Sequence, residues 1–254
     1  LSTMEAAAAW LPWMTDTAVK NTGENMELIL AWQNSSTRRW YPIVRIGREE
    51  SEYVLRYVQG VMLPEVGAAA TLPGMENVHV EYRSRTLFPF FQNRLYNRKR
   101  ADWHRYRDWL GLTSDDIADP LVELSASGGI RATDPYQLLK IPERLDGQYC
   151  AQFFVHGDVH RGERLLLQFD VQNPVDSSSI SLRTDTHKRI VGFLPRLIDR
   201  DVQRLIAANG PEKVTVTLNE VSEDAPLNLR YRCTLSAPWP AEFIPFSESE
   251  FRPI

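Results

Sequence analysis

The chain has 254 residues, 43% hydrophobic and 24% charged, with a net charge of −4. This usage excludes a mainly disordered chain, and the length predicts two domains, each able to bury its own core. Apolar runs such as Leu28 to Trp32 and Leu165 to Leu167 fall far short of the ~20 residues that cross a bilayer, so no membrane segment is expected, and any nucleic-acid partner would need a locally basic face.

Residues 1–26 carry Ala6 to Ala9, Trp10 and Trp13 without the basic start of a secretory signal. They are expected as a leader or a short helix, with Met26 as the native start. Glu27 to Trp32, Trp40 to Gly47 and Tyr53 to Val58 are β-rich runs separated by turns. Leu63 to Gly74, rich in Pro, Gly and Ala, is predicted as a loop. From Thr86 the period becomes helical, with Leu87, Phe90, Phe91, Arg94 and Leu95, then Trp103, Tyr106, Trp109 and Leu110 before a stop at Gly111. Thr113 to Asp116 offer N-caps for a helix over Ile117 to Ser125, which Gly128-Gly129 ends. Tyr136 to Ile141 returns as a strand, and Pro142 to Gly147 is expected as the interdomain linker.

The second domain, 148–246, holds candidate strands at Gln148–Val155, Arg164–Val171, Ser179–Arg183, Arg189–Phe193, Val214–Val221 and Leu229–Leu235. A helix runs from Pro195 to about Ala208, and residues 247–254 form a tail. Strands around few helices, without βαβ alternation, predict an α+β fold of two small β-rich domains. The second is expected to be a small barrel or curled sheet with a packed helix. The two cysteines, Cys150 and Cys233, lack metal spacing and point to reduced thiols and a cytoplasmic location.

Within 148–246, Asn173-Pro174-Val175-Asp176 reads as a turn in which Asp176 closes a loop through backbone hydrogen bonds. Gly192 permits close chain approach, and Pro195 suits a first helical turn. Arg196, Arg200 and Arg204 then fall at i, i+4 and i+8, opposite Leu194, Ile198, Val202, Leu205 and Ile206. The helix should pack its apolar side inward and present arginine outward. A plainly solvated face, with Asp199 and Asp201 nearby, fits the same spacing.

The order Gly162 to Leu167, Asn173-Pro174-Val175-Asp176, Ile180 and Ile190 to Arg196 resembles the HIRAN family. That resemblance implies a module binding single-stranded DNA at a free 3′ end, as HIRAN domains of eukaryotic remodelling enzymes do. It places the contacts at Phe153, Phe154, Asn173, Val175, Asp176, Phe193 and Arg196, extended along the helix by Arg200 and Arg204. In the DNA-binding members an arginine–tyrosine pair stands where this chain has Phe153-Phe154, and a tyrosine where it has Val175. Neighbours in a strand face opposite sides, so one of Phe153 and Phe154 is expected inside and the other exposed.

The first domain carries eight cations between Arg83 and Arg107 against Asp102 alone, a net of +7. Arg94, Arg98, Lys99, Arg100, Arg105 and Arg107 are interleaved with Tyr96, Trp103, Tyr106 and Trp109, the composition of a secondary nucleic-acid patch. A helix that buries its aromatics and pairs its cations with Asp115, Asp116, Asp119 and Glu123 has the same composition. Leu30-Ala31-Trp32-Gln33-Asn34, Tyr53 to Tyr57, Leu87 to Leu95 and Ser127-Gly128-Gly129 resemble the N-terminal subdomain of HipA-type kinases over Met26 to Pro142. That implies docking to a separately encoded kinase, in the manner of an antitoxin.

His156-Gly157-Asp158-Val159-His160 has the look of a phosphotransferase catalytic loop, but Glu163 stands where the magnesium-binding Asn belongs and no Gly-rich phosphate loop precedes it. His156 and His160 with Cys150 or Asp158 make only an incomplete zinc set. Neither a serine nucleophile elbow nor a carboxylate dyad is found. The expected function is therefore that of a non-enzymatic DNA-binding protein of bacterial defence or toxin–antitoxin systems, without catalytic residue, metal or cofactor. The alternative is an antitoxin-like protein-interaction module.

Overall fold

The computed structural model describes residues 26–157 and 159–254. The expected leader, short of Met26, and Asp158 of the His-rich motif lie outside them. The fold is mixed α+β, with two antiparallel sheets.

The first sheet has the order β4-β3-β2-β1-β5. Its strands are β1 (Glu27–Gln33), β2 (Trp40–Glu49), β3 (Glu52–Tyr57), β4 (Tyr82–Ser84) and β5 (Tyr136–Lys140). Leu28, Leu30 and Trp32 of β1 face one core, and Ile29 and Ala31 face the other. A strand covered on both faces reads as a continuous apolar run rather than an alternating one, which is why Leu28 to Trp32 is apolar throughout. Gly60 lies so close to β2 that a Cβ there would sit 1.9 Å from the Pro42 carbonyl oxygen, so only glycine fits.

Between the sheet strands run three short helices. The helical spacing from Leu87 to Leu95 yields a single turn, α1 (Pro89–Gln92), after which the Arg94 and Leu95 N–H groups bond three residues back, to Phe91 O and Gln92 O. α2 is Trp103–Trp109 and α3 is Pro120–Ser127. The expected caps at Thr113 to Asp116 lead instead into a 3-10 turn, Asp116–Ala118. The cap of α3 is Asp119, whose carboxylate accepts the Leu121 N–H at 2.9 Å, and Gly128 closes it at φ 69°.

Where a linker was expected, β6 (Glu143–Leu145) and an Asp146-Gly147 turn form a hairpin with β7 (Gln148–Val155). Asp146 and Gly147 both have positive φ, 49° and 78°, as a tight hairpin turn requires. The second sheet continues with β8 (Arg164–Phe169), β9 (Ile180–Thr184), β10 (Ile190–Phe193), β11 (Thr215–Val221) and β12 (Tyr231–Pro238). Its order is β10-β9-β8-β11-β12-β7-β6. The sheet curls until the His156 and Gly157 N–H groups, just past β7, donate to the Val191 carbonyl of β10 at 3.0 Å each. Gly157 permits that approach, since a Cβ there would lie 2.4 Å from the Val191 side chain.

Helix α4 (Ile198–Asn209) lies on this sheet with Ile198, Val202 and Leu205 in the core. It begins three residues after Pro195, and Leu197 at φ 75° makes the bend into it. Asp199 and Asp201 are 1% and 0% exposed, inside rather than on a solvated face.

The last residues clasp the two halves. Phe246 and Phe251 are buried and stacked at 4.8 Å. The Gln59 N–H donates to Arg252 O at 2.9 Å, the Ile254 N–H to Tyr57 O at 3.1 Å, and Arg45 Nε to Phe251 O at 3.1 Å. The expected tail is thus packed structure. No helix among the described residues is long and apolar enough to cross a membrane.

Candidate nucleic-acid interface

The loop after β8 is built by its own side chains. Asn173 Oδ1 accepts the N–H groups of Val175 and Asp176 at 3.0 and 3.1 Å, and its amide donates to Asp170 at 3.0 Å. This is the turn that Asn-Pro favours. Asp176 Oδ1 then accepts the Ser178 N–H at 2.9 Å and the Ser178 hydroxyl at 2.6 Å. The finished loop is fixed to the start of α4, with Gln203 Nε2 donating to Ser178 O at 2.9 Å and the Arg196 guanidinium to the Ser179 hydroxyl. Arg39 Nε, from the first half, holds Val175 O at 2.9 Å.

Asp176, Arg196 and Arg200 therefore share one electrostatic environment. Burial raises the Asp176 carboxyl, but the two Ser178 donors and the charges of Arg196 and Arg200 outweigh it and hold the group below its ordinary value. For Asp199 the balance is reversed, because burial and the neighbouring Asp176 charge push it up to about 6. Its Oδ1 accepts the Arg200 N–H at 2.9 Å, while Oδ2 is buried without a hydrogen-bond partner. Burial also pushes Asp201 up to about 6, against the Arg204 and Phe246 donors.

Phe193 ends β10 beside this loop, 41% exposed, with the Arg196 guanidinium 5.9 Å from its ring centre. Phe193, Arg196, Asn173, Val175 and Asp176 thus gather at one end of α4. They offer an aromatic face, a cation and a carboxylate together, the chemistry of stacking and phosphate or hydroxyl recognition.

Four predicted positions sit elsewhere or otherwise. Arg200 pairs with Glu250 at 2.6 Å. Arg204 is spread over Asp201 (2.5 Å), Ser247 (2.6 Å) and the Ile244 carbonyl (3.0 Å), with its guanidinium over Phe243. The stripe is real, yet the C-terminal segment lies along it, so these two arginines are half-buried and do not face outward. Phe153 is 7% exposed in the second core, and Phe154 packs from the other face of β7 against the first core. Phe154 is thus half-buried rather than exposed, because at its end the β7 face expected to meet solvent packs against the first core, while Gln152 on the same face stays exposed.

The secondary basic patch also splits. Arg94 is a buried cation, its side chain 2% exposed, bound to Asp134 at 2.8 Å and lying over Phe90 and Tyr136. Arg98 reaches Glu123 at 4.0 Å, Arg100 pairs with Asp102, Arg105 with Asp224 and Arg107 with Asp108, each of the last three at 2.9 Å. Lys99 is exposed. The aromatics stack on one another, with Tyr96 and Tyr106 rings 4.0 Å apart and Trp103 6.2 Å from Tyr96. Of the four acids named as counter-charges, Glu123 reaches Arg98, and Asp119 pairs instead with Arg48 at 3.5 Å.

In the His-rich motif the His156 and Gly157 backbone serves the Val191 contact, and the His160 N–H donates to Glu163 at 3.1 Å. Among the described residues no three His, Cys, Asp or Glu side chains are placed to hold a metal. Cys150 and Cys233 are free thiols, and burial pushes Cys233 up to about 12. Sequence reasoning missed Arg39, Ser178, Ser179 and Gln203, which fix the loop. Arg39 carries no signal at all, being 136 residues from its acceptor. The chain matches no protein-family model, no curated protein and no solved structure.

Proposed function

We propose that the protein is a non-enzymatic, cytoplasmic nucleic-acid-binding protein whose second half is a HIRAN-like module engaging single-stranded DNA or DNA 3′ ends. One observation carries the reading. Three pieces of sequence that the family resemblance singles out, Asn173 to Asp176, Phe193 and Arg196, converge at one end of α4, leaving a half-exposed ring beside a guanidinium. Phe193 stacks a base, Arg196 meets a phosphate, and the loop carboxylate accepts from a terminal hydroxyl. The curl that brings Val191 onto the end of β7 supports reading the sheet as that family's small barrel. Residues 27–142 and 148–246 are then the two modules, and 247–254 the strap that ties them.

The reading draws less on Arg200, Arg204, Phe153 and Phe154, whose side chains have partners within the fold. The test is fluorescence anisotropy with a short single-stranded DNA, its 3′ end free or blocked, across salt. We expect binding that weakens with salt and with blocking. Phe193→Ala is expected to lower affinity by about 5- to 100-fold, from the loss of one stacked base. Arg196→Ala should reduce both affinity and salt dependence. Absence of binding at low salt would remove the proposal.

A further inference from the structure

β8 is paired over unequal lengths on its two sides. Against β9 the ladder runs from Leu165–Thr184 to Phe169–Ile180, whereas against β11 it holds only Arg164–Thr217 and Leu165–Val216. In an antiparallel ladder, alternate residues aim both N–H and C=O to the same side. The Asp170 N–H donates to Ser179 O at 2.9 Å, so Gln168 and Leu166 share that direction toward β9. Leu165, Leu167 and Phe169 aim the other way. The β11 side agrees, since the Leu218 N–H donates to Glu163 O at 3.0 Å, placing Glu163 and Leu165 in the set that faces β11. Leu167 and Phe169 therefore direct their backbone groups to the side where the ladder has already ended.

There β11 gives way to the 3-10 turn Pro211–Lys213 and the end of α4, opening a cleft of about 360 Å³. Leu165, Leu167, Val214 and Ile206 line its inner side. Arg164 and Arg183 belong to the opposite face, on which Arg183 stands across from Leu166. Among the described residues no carboxylate pairs with Arg183, and its Nε is buried without a hydrogen-bond partner. Arg164 donates to the Glu212 backbone carbonyl at 3.3 Å. At the open end Phe169 is 45% and Val171 71% exposed.

We infer that this cleft receives an extended segment of a partner polypeptide as an added strand on β8, with apolar and acidic side chains in alternation. Donor–acceptor pairs repeating every second residue match a peptide backbone. Alternation follows from the two walls: one set of side chains meets Leu167, Val214 and Ile206, the other meets Arg164 and Arg183. An unpaired strand edge is a template for such pairing. The inference does not rest on the nucleic-acid reading.

Amide hydrogen exchange on the full chain tests it, with an acetylated and amidated peptide alternating Val and Glu as the probe. In the free protein the Leu167 and Phe169 amides should exchange faster than those of Leu166 and Gln168. Millimolar peptide should slow those two selectively. N-methylation of every Val, or of every Glu, should separate the two strand directions: one substitution abolishes the protection and the other keeps it, the Val set for antiparallel and the Glu set for parallel addition. Replacing Glu by Lys should weaken binding about tenfold, and Arg183→Gln should narrow that preference. Amides already protected in the free chain, no slowing with peptide, or equal behaviour of the two N-methylated peptides would each overturn it.

Discussion

The two arginine-rich segments look alike as strings and differ as structures. In the α2 region, Arg98 to Arg107 pair across exposed surface while Tyr96, Trp103 and Tyr106 stack on one another, leaving little aromatic face for a ligand. Around α4, the C-terminal strap takes up Arg200 and Arg204, yet Arg196 and Phe193 stay together at the end of the helix. Counting charge therefore ranks the first segment higher, and geometry ranks the second. What separates them is where the counter-charges come from. Exposed acids such as Asp224 serve α2, whereas the half-buried Glu250 of the strap and the buried Asp201 serve α4.

That contrast is sharpest if the strap is removed. Phe251→Ala is expected to cost about 4 kcal/mol, the loss of a fully buried ring and its cavity, with the Glu250 contact of Arg200 and the Ser247 contact of Arg204 lost as the strap undocks. Urea denaturation measures it. A loss below about 1 kcal/mol would mean that the strap does not clasp the halves.

The next largest effect concerns Asp199 at the start of α4. Its carboxyl is raised from an ordinary 3.8 to about 6 by burial and by Asp176. The folded state thus takes up the proton first. The charged form costs stability above about pH 6, and that cost is relieved as pH falls from 6 toward 4. Asp199→Asn should therefore stabilise the protein by about 1–2 kcal/mol near pH 7.5, after allowance for a buried amide N–H₂ left unpaired. The difference from wild type should shrink on acidification to about pH 4.5. A pH-independent difference would show that Asp199 titrates normally.

The smallest effect is expected at α2. Arg105 and Asp224 are 60% and 57% exposed, and pairs of this kind contribute little. Asp224→Ala should leave the urea midpoint unchanged within scatter at moderate salt. A clear destabilisation would place the α2 surface closer in character to the α4 end than its exposure implies.

Local chemistry was legible in the chain wherever neighbours in sequence are neighbours in space. The Asn173 turn, the amphipathic α4, the glycine end of α3 and most of the β7 to β12 strands follow from turn residues and period alone. The buried Arg94 was not legible, because it takes its partners from Gly129 and Asp134, 35 and 40 residues on. The packing of Phe154 against the first core was not legible either, since its alternation is that of a half-exposed strand whatever lies above it.

By itself the sequence determined the α+β composition, the reach of the main strands, the Asn173 turn and the arginine stripe of α4, since backbone propensity and side-chain period act within a few residues. Only the tertiary structure decided which of those residues face outward. Exposure and ion pairing depend on segments brought in from afar: β1 wedged between two cores, the strap over Arg200 and Arg204, and β11 parting from β8 to leave an open strand edge.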